Sequence, residues 1–470
     1  MGTKFVNRKI ELKWLEESYK KVPQESQLLV IYGKRRVGKT ELVKHFNQSK
    51  PYVYFVAEKG TAQDQLQSAK NVFADALQDN VLKMLPFQSW REFFGYLGAK
   101  LRDRKEPIVL VFDEFPYLVE SNAGIPSYFQ VGWDEYLKNT KTMMILMGSS
   151  IAMMYKHALV YSSPLYGRRT GQWLLEPFNF KETKNFYPNA PFENTFPLYA
   201  ISGGIPAYAK VFNGMKTLKQ NIIDYVLQPG AFLSVEPELL VSDEFTDPRS
   251  FLTILKAIGL GRTKFSEIIQ ETGLPSTALP GYLKTLINLR LVKKEIPITE
   301  KIPEKSKKGN YSLSDSFLRF YFSFIYPNNS LIKSGNLDAL FTQHGETLVS
   351  LVSKSYEDIT GELIQETINR RMLPQFEQMG RWWDKNTEID LVGMNKGENA
   401  ILFVETKWNT KPIDIDVLEN LKKRSKAVEW GGKGRKEYFA LVAKGGFTKK
   451  LIEQAKKEDV VLIHKDRVVK

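Results

Sequence analysis

The sequence predicts an α/β fold built on a parallel sheet, and three observations carry that expectation. An apolar run, Leu28–Ile31, leads into Gly33-Lys34-Arg35-Arg36-Val37-Gly38-Lys39-Thr40 and then into a helical stretch, Glu41 to Phe46. A second run, Ile108–Phe112, stops at Asp113-Glu114, and a third, Met143–Met147, stops at Gly148-Ser149-Ser150. Continuous apolar stretches of this length read as strands buried on both faces, as in parallel sheets, where functional groups collect past the carboxyl ends.

The first of these elements is the most specific. Gly-x-x-x-x-Gly-Lys-Thr between a strand and a helix is the context in which backbone N–H groups can surround a phosphate. Gly33 and Gly38 allow the tight turn, Lys39 brings a cation to the β- and γ-phosphates, and Thr40 offers a hydroxyl to Mg²⁺. The helix beginning there adds its partial positive charge. Arg36 within the loop and Glu41 just after it complete the local set of nucleotide-contact candidates.

At the end of the second strand, Asp113 suits Mg²⁺ coordination and Glu114 suits polarisation of an attacking water. Ser149, past the third strand, has two open readings: a side chain facing the γ-phosphate, or, with Ser150, the cap of the next helix. Arg168 and Arg169 sit in a glycine-flanked loop, Pro164 to Phe178. They read either as an arginine finger or as a solvated, salt-bridged pair.

Composition sets the bounds. A chain of 470 residues exceeds a single core, and about three domains is the expectation. It is 43% hydrophobic and 26% charged, which is the balance of a globular protein. No apolar run approaches the roughly 20 residues that span a bilayer, and the first twenty residues lack a signal-peptide core, so a cytoplasmic location is expected. The absence of cysteine excludes disulfides, thiolate zinc sites and cysteine nucleophiles. The four histidines, His45, His157, His344 and His464, are too scattered to form a histidine-rich metal site. The net charge is +14, and residues 401–470, with 17 Lys/Arg against 10 Asp/Glu, hold +7 of it. An acidic partner, with nucleic acid first, follows from that surplus.

Phe5-Val6-Asn7-Arg8-Lys9-Ile10-Glu11-Leu12, the phosphate loop, Val111–Phe115, Met147–Ser150, Ser163–Thr170 and Ser202–Tyr208 together resemble the archaeal-type P-loop ATPases, relatives of AAA+ and STAND proteins. Members usually read Phe-x-Gly-Arg-x-x-Glu-Leu at the start; here Asn7 replaces the glycine and Arg8 keeps the arginine. The resemblance implies ATP and Mg²⁺ as ligands, Arg8 among the nucleotide-site residues, and a lid whose signature is Gly203-Gly204-Ile205-Pro206.

Three helical patterns follow, Phe251–Ile258, Lys264–Glu271 and Ser276–Arg290, then a strand Leu291–Lys294 that returns as Asn310–Leu313. This is a winged-helix pattern with a basic tip. It reads either as a DNA-binding module, with Ser276–Lys284 in a major groove and Lys305, Lys307 and Lys308 on phosphates, or as a regulatory lid. Pro280 in the candidate recognition helix costs a backbone hydrogen bond unless it lies in the first turn.

Near the carboxyl terminus, Glu388–Val392 and Ala400–Lys407 read as neighbouring strands that carry Asp390, then Glu405 and Lys407. Residues two apart on a strand share a face, so Glu405 and Lys407 point together. The set resembles the PD-(D/E)xK nucleases. That likeness implies a second Mg²⁺ or Mn²⁺ site, completed by a helical glutamate from Ser355–Ile368, where Glu362 or Glu366 stands near the family position occupied here by Gln365. Trp382, Trp383 and Trp408 flank the strands and read either as base-stacking faces or as core packing.

The expected organisation is a P-loop ATPase core over residues 1–175, a helical lid over 176–245, a winged helix over 246–328 and a small α/β nuclease-like domain over 329–470. The expected activity is ATP binding and hydrolysis coupled to DNA, with a nucleotide-dependent homo-oligomer as a further expectation. The alternatives are a slow STAND-type switch or a transcription regulator without cleavage activity.

Overall fold

The computed structural model describes residues 5–245, 247–306, 308–432 and 434–469. The chain divides into two compact units. The first comprises Met1–Pro188, Gly204–Val211 and Glu238–Thr246, the second Asn189–Gly203, Phe212–Pro237 and Asp247–Lys470. The residues read as a lid, 176–245, are thus shared between them.

The first unit is a five-stranded parallel sheet, β1 (Gln27–Tyr32), β2 (Tyr52–Val56), β3 (Ile108–Asp113), β4 (Thr142–Gly148) and β5 (Gly171–Leu174), in the order β2-β3-β4-β1-β5. The apolar runs are the central strands. Alternate residues go to opposite faces: Leu28, Val30, Leu110, Phe112, Met144 and Leu146 join one core, while Leu29, Ile31, Val109, Val111, Met143 and Ile145 join another. Both faces are covered, which is why these strands show continuous rather than alternating hydrophobicity. The first core is rich in aromatic rings, with Phe112 edge-on to Phe129 at 4.9 Å. Truncating a ring as enclosed as Phe112 costs roughly 3–5 kcal/mol.

In the second unit, helices Arg249–Gly259, Phe265–Thr272 and Leu279–Asn288 precede an antiparallel hairpin, β6 (Val292–Glu295) and β7 (Asn310–Leu313). The backbone N–H of Tyr311 donates to Thr263 O at 2.7 Å, tying the hairpin to the first interhelical turn. Pro280 falls in the first turn of its helix, where the missing N–H costs nothing. Lys307 lies outside the described residues.

A second sheet follows, with β8 (Gln378–Trp383), β9 (Glu388–Asn395), β10 (Ala400–Lys407), β11 (Lys436–Ala443), β12 (Val461–His464) and β13 (Arg467–Val468) side by side in reverse order. β10, β11 and β12 are parallel, and the outer pairings are antiparallel. The helices Leu337–Asn369 and Ile415–Ser425 pack on it, and Thr360 and Thr406 share a buried hydroxyl hydrogen bond of 2.8 Å. Trp408 packs in a ring cluster with Phe196 at 5.0 Å and Tyr356 at 5.2 Å. Trp382 is also in the core, with its indole N–H on Thr299 Oγ1 at 3.1 Å. Trp383, next along the strand, is half-buried. Among the described residues, no helix is long and apolar enough to cross a membrane.

Candidate functional site

The loop after β1 folds as its glycines require. Gly33 has φ +154°, and a Cβ there would stand 2.4 Å from Leu175 O. Gly38, at φ +96°, opens the helix α1 (Lys39–Asn47), whose first turn includes exposed Glu41. Arg36 is also left-handed, at φ 66°. Lys39 is buried, and its ammonium donates to Gly33 O at 2.9 Å and Lys34 O at 3.0 Å, bridging the loop's own carbonyls. Burial lowers its pKa to about 8, against the opposing pull of Glu114, Asp113 and Glu244.

Arg8 reaches this loop from the amino-terminal motif. Its guanidinium donates to Val37 O and Glu11 Oε1, both at 2.9 Å, and lies 4.0 Å from the centre of the Phe178 ring. It braces the loop's backbone. Burial pulls its pKa down, and Glu11 opposes that. Asn7 takes φ 56°, a left-handed conformation that asparagine tolerates better than most residues, so the turn survives without glycine.

β3 lies beyond β4 from β1, and its end meets the loop from the side. Thr40 Oγ1 donates to Asp113 Oδ2 at 2.9 Å. Tyr54, on β2, donates its hydroxyl to the same oxygen at 2.6 Å, while Glu114 N donates to Oδ1 at 2.9 Å. Burial and Asp113 push the Tyr54 phenol far up, so it remains a donor. Glu114 itself is left-handed, φ 53°, which turns its carboxylate toward β4. There Oε2 accepts from Ser149 N at 3.3 Å and Ser149 Oγ at 2.9 Å. Ser150 is the serine that caps the next helix, accepting from Met153 N at 3.2 Å. The cap reading therefore falls to Ser150, while Ser149 bonds Glu114.

Sequence reasoning missed Tyr54 and Glu244. Glu244, at the end of the helix Glu236–Glu244, accepts from Ser150 Oγ at 3.1 Å and Ile151 N at 3.4 Å. Burial raises its pKa. The alternation of Tyr52–Val56 hints that Tyr54 shares a face with the loop, but nothing local to Glu244 marks it.

Arg168 and Arg169 are not brought to the phosphate loop of their own chain. β5 runs parallel to β1 with Gly171 beside Leu29, so the residues preceding β5 lie at the amino-terminal end of the sheet, opposite Gly33. Arg168 Nε pairs with Asp134 Oδ2 at 3.0 Å, and Arg169 donates to Ala158 O and Leu159 O at 2.9 and 3.0 Å.

In the second unit the strand pair brings Asp390, Glu405 and Lys407 together, but as an ion-pair network. Lys407 Nζ lies 2.6 Å from Glu405 Oε1, and Arg424 Nη2 lies 2.7 Å from Glu405 Oε2. Asp390 Oδ2 accepts from Thr406 N at 2.8 Å. Burial first, then Glu405 and Glu357, raise the Asp390 pKa. The helical glutamate whose charge reaches Asp390 and Glu405 is Glu357, not Glu362. Glu357 lies one turn before Thr360, and burial with Asp358, Glu388 and Glu405 pushes it to about 7. At about 100° per residue, Glu362 is turned roughly 140° from Glu357, and Glu366 roughly 180°. Glu362 is exposed, and Glu366 pairs with Arg370 at 2.7 Å. Among the described residues, no group of three or more His, Asp or Glu is placed to hold a metal ion. The expected second metal set of Glu362, Asp390, Glu405 and Lys407 is corrected accordingly: one member is on another face, and both oxygens of another are taken by cations.

Residues 5–210 match the family described as an ATPase domain predominantly from Archaea, and residues 321–425 match a family of archaeal and bacterial proteins of unknown function. An uncharacterized protein of Methanocaldococcus jannaschii is 34% identical over 449 residues, covering 94% of this chain and 95% of that one. An uncharacterized ATP-binding protein of the same organism is 48% identical over 46 residues, covering 10% of this chain and 75% of that one. Among solved structures, the Walker-type ATPase of Pyrococcus abyssi is similar with a TM-score of 0.49 and 23% identity, covering 68% of this chain and 96% of that one. The Aeropyrum pernix ORC2 protein follows with a TM-score of 0.45 and 13% identity, covering 71% and 97%. With its phosphate loop and strand-end carboxylates in register, and a near full-length archaeal relative, the chain belongs to the family of predominantly archaeal P-loop ATPases.

Proposed function

We propose that the chain hydrolyses ATP at Gly33–Thr40 and couples that turnover to nucleic acid held by its second unit. One observation carries the catalytic part: Thr40, Asp113, Glu114 and Ser149 form an unbroken hydrogen-bonded line across the ends of β1, β3 and β4. The hydroxyl of Thr40 and the carboxylate of Asp113 are hard oxygen donors within 2.9 Å of each other, a pair that fits Mg²⁺. Thr40 and Asp113 would hold that ion, and its chemistry there would be to offset the charge of the terminal phosphates. Lys39 leaves the loop carbonyls for the phosphate oxygens, the loop amides orient the chain of phosphates, and Glu114 polarises the attacking water. Ser149 holds Glu114 at the height where that water must stand. Arg168 and Arg169, at the far end of their own sheet, act on a phosphate only across a subunit boundary.

Support for the nucleic-acid part comes from the +14 charge, the three helices with a basic hairpin, read here as a winged helix, and the nuclease-like order of the second sheet. ATP turnover measured with and without single- and double-stranded DNA tests the coupling. Stimulation that Lys39→Ala abolishes supports it, and turnover indifferent to any nucleic acid removes it.

The closed state of Glu405 favours a second reading, a nucleotide switch whose nuclease-like sheet binds without cutting. Plasmid incubated with Mg²⁺ or Mn²⁺ tests it: nicking lost in Lys407→Ala contradicts this second reading, and equal nicking by both proteins assigns it to a contaminant.

A further inference from the structure

The second unit has an open cleft of about 1040 Å³ beside the β6–β7 hairpin and the β8–β9 turn, which none of the chemistry above uses. Lys264, Lys294, Lys308 and Lys385 line it together with the rings of Phe265 and Trp383. Strand alternation explains the outward-facing, half-buried indole: Trp382 points into the core, so Trp383 points out. A half-buried tryptophan beside lysines is a stacking face with cations at its rim.

Charges on the cleft are unevenly spent. Lys308 Nζ pairs with Glu300 Oε1 at 2.6 Å, and Lys294 Nζ reaches Ser306 O at 3.4 Å. Lys385 is exposed on the β8–β9 turn. The carboxylate there, Asp384, accepts from Asn386 N at 2.7 Å and Thr387 N at 2.8 Å, and those bonds hold its pKa down. Asp384 is therefore an anchored anion that shapes the turn, and the lysines outnumber it.

The cleft has a direction. Asn310, Trp383 and Asp384 also border a hollow of about 410 Å³ that ends at Thr387 and Glu388. Thr387 in turn borders a cleft of about 570 Å³ containing Glu405, Lys407 and Arg424. The middle hollow carries Glu295, Asp384 and Glu388 against Arg381, so phosphates are favoured at the two ends and not between them.

We propose that this cleft binds a short single-stranded nucleic acid, with its phosphates on the lysines and unstacked bases on Trp383 and Phe265. The inference rests on the nucleic-acid reading above and narrows it to one strand. Size supports the choice: pockets of roughly 300–1,000 Å³ hold compact ligands. The volume here suits a few nucleotides, whereas a duplex presents a major groove about 12 Å wide to a whole helix.

The test is fluorescence anisotropy of the full chain with labelled oligothymidylate, oligouridylate and a duplex. Probes of roughly a dozen nucleotides lie within the ~4–16 that single-strand sites cover. Both single strands should bind more tightly than the duplex, and their ratio says whether DNA or RNA is the better occupant. Trp383→Ala should weaken single-strand binding roughly 5- to 150-fold, the worth of one base stack. Lys385→Ala should lessen the slope of log affinity against log salt by about one. Unaltered single-strand binding in both variants overturns the proposal. Binding of duplex alone overturns it while the nucleic-acid reading stands, and binding of no probe removes both.

Discussion

Two strand ends in this chain carry acidic residues, and they are dressed in opposite ways. Past β3, Asp113 and Glu114 are held by neutral donors, the hydroxyls of Thr40, Tyr54 and Ser149 and backbone N–H groups. On β10, Glu405 is held by two cations, Lys407 and Arg424. Neutral donors fix a carboxylate's position yet leave its charge for a metal ion or a water. Cations consume the charge, and a divalent ion must displace one of them. The same sequence pattern, an apolar strand ending in acid, therefore marks a site poised for chemistry in one unit and a closed one in the other.

The strongest way to break this contrast is Lys39→Ala. The phosphate loop would keep its backbone, but a cation aimed at the transferring phosphate would be lost, and kcat/KM for ATP should fall by roughly 10²-fold or more. Turnover near the wild-type value would show that the first site is not the one that works.

Arg424→Leu sharpens the other side. It leaves Glu405 Oε2 without its partner at 2.7 Å. Because Arg424 is partly exposed, the cost should be nearer the roughly 1–3 kcal/mol of an unsatisfied acceptor than that of a buried ion pair. Calorimetric unfolding should show the second unit melting earlier, and an unchanged transition would mean that the Arg424–Glu405 pair adds nothing to its stability.

A smaller effect is expected at Glu244, a third carboxylate near Lys39. Glu244→Gln keeps an acceptor for Ile151 N, turns its amide N–H toward Ser150 Oγ as a donor, and removes a charge that repels phosphate. Removing that charge should tighten ATP binding, by less than Lys39→Ala weakens turnover. Isothermal titration with ATP measures it, and weaker binding would show that Glu244 supports the site.

The sequence made the first site legible because its parts are local. Gly33–Thr40 is contiguous, and Asp113, Glu114 and Ser149 each follow an apolar run that can only be a buried strand. Asp390, Glu405 and Lys407 were legible for the same reason, by their places on adjacent strands. The helical glutamate was not. In Leu337–Asn369, a 33-residue helix, the acids Glu357, Glu362 and Glu366 differ only in rotation, and which one faces the sheet is set by the Thr360–Thr406 contact. Arg424 and Tyr54 were missed on similar grounds, since their partners lie 19 and 59 residues away and no spacing rule joins them. Arg168 and Arg169 show the converse. Their glycine-flanked loop resembles a catalytic one, yet the parallel pairing of β5 with β1 puts it at the other end of the sheet.

The most direct test of the catalytic assignment is Glu114→Gln, assayed for ATP affinity and for single-turnover hydrolysis in Mg²⁺. The substitution keeps an acceptor for Ser149 but removes the charge that polarises water. Affinity should remain within a few-fold of wild type while the hydrolysis rate falls by roughly 10²–10⁴-fold. Hydrolysis at an undiminished rate with ATP still bound would contradict the assignment of Glu114, and with it the contrast between the two strand ends.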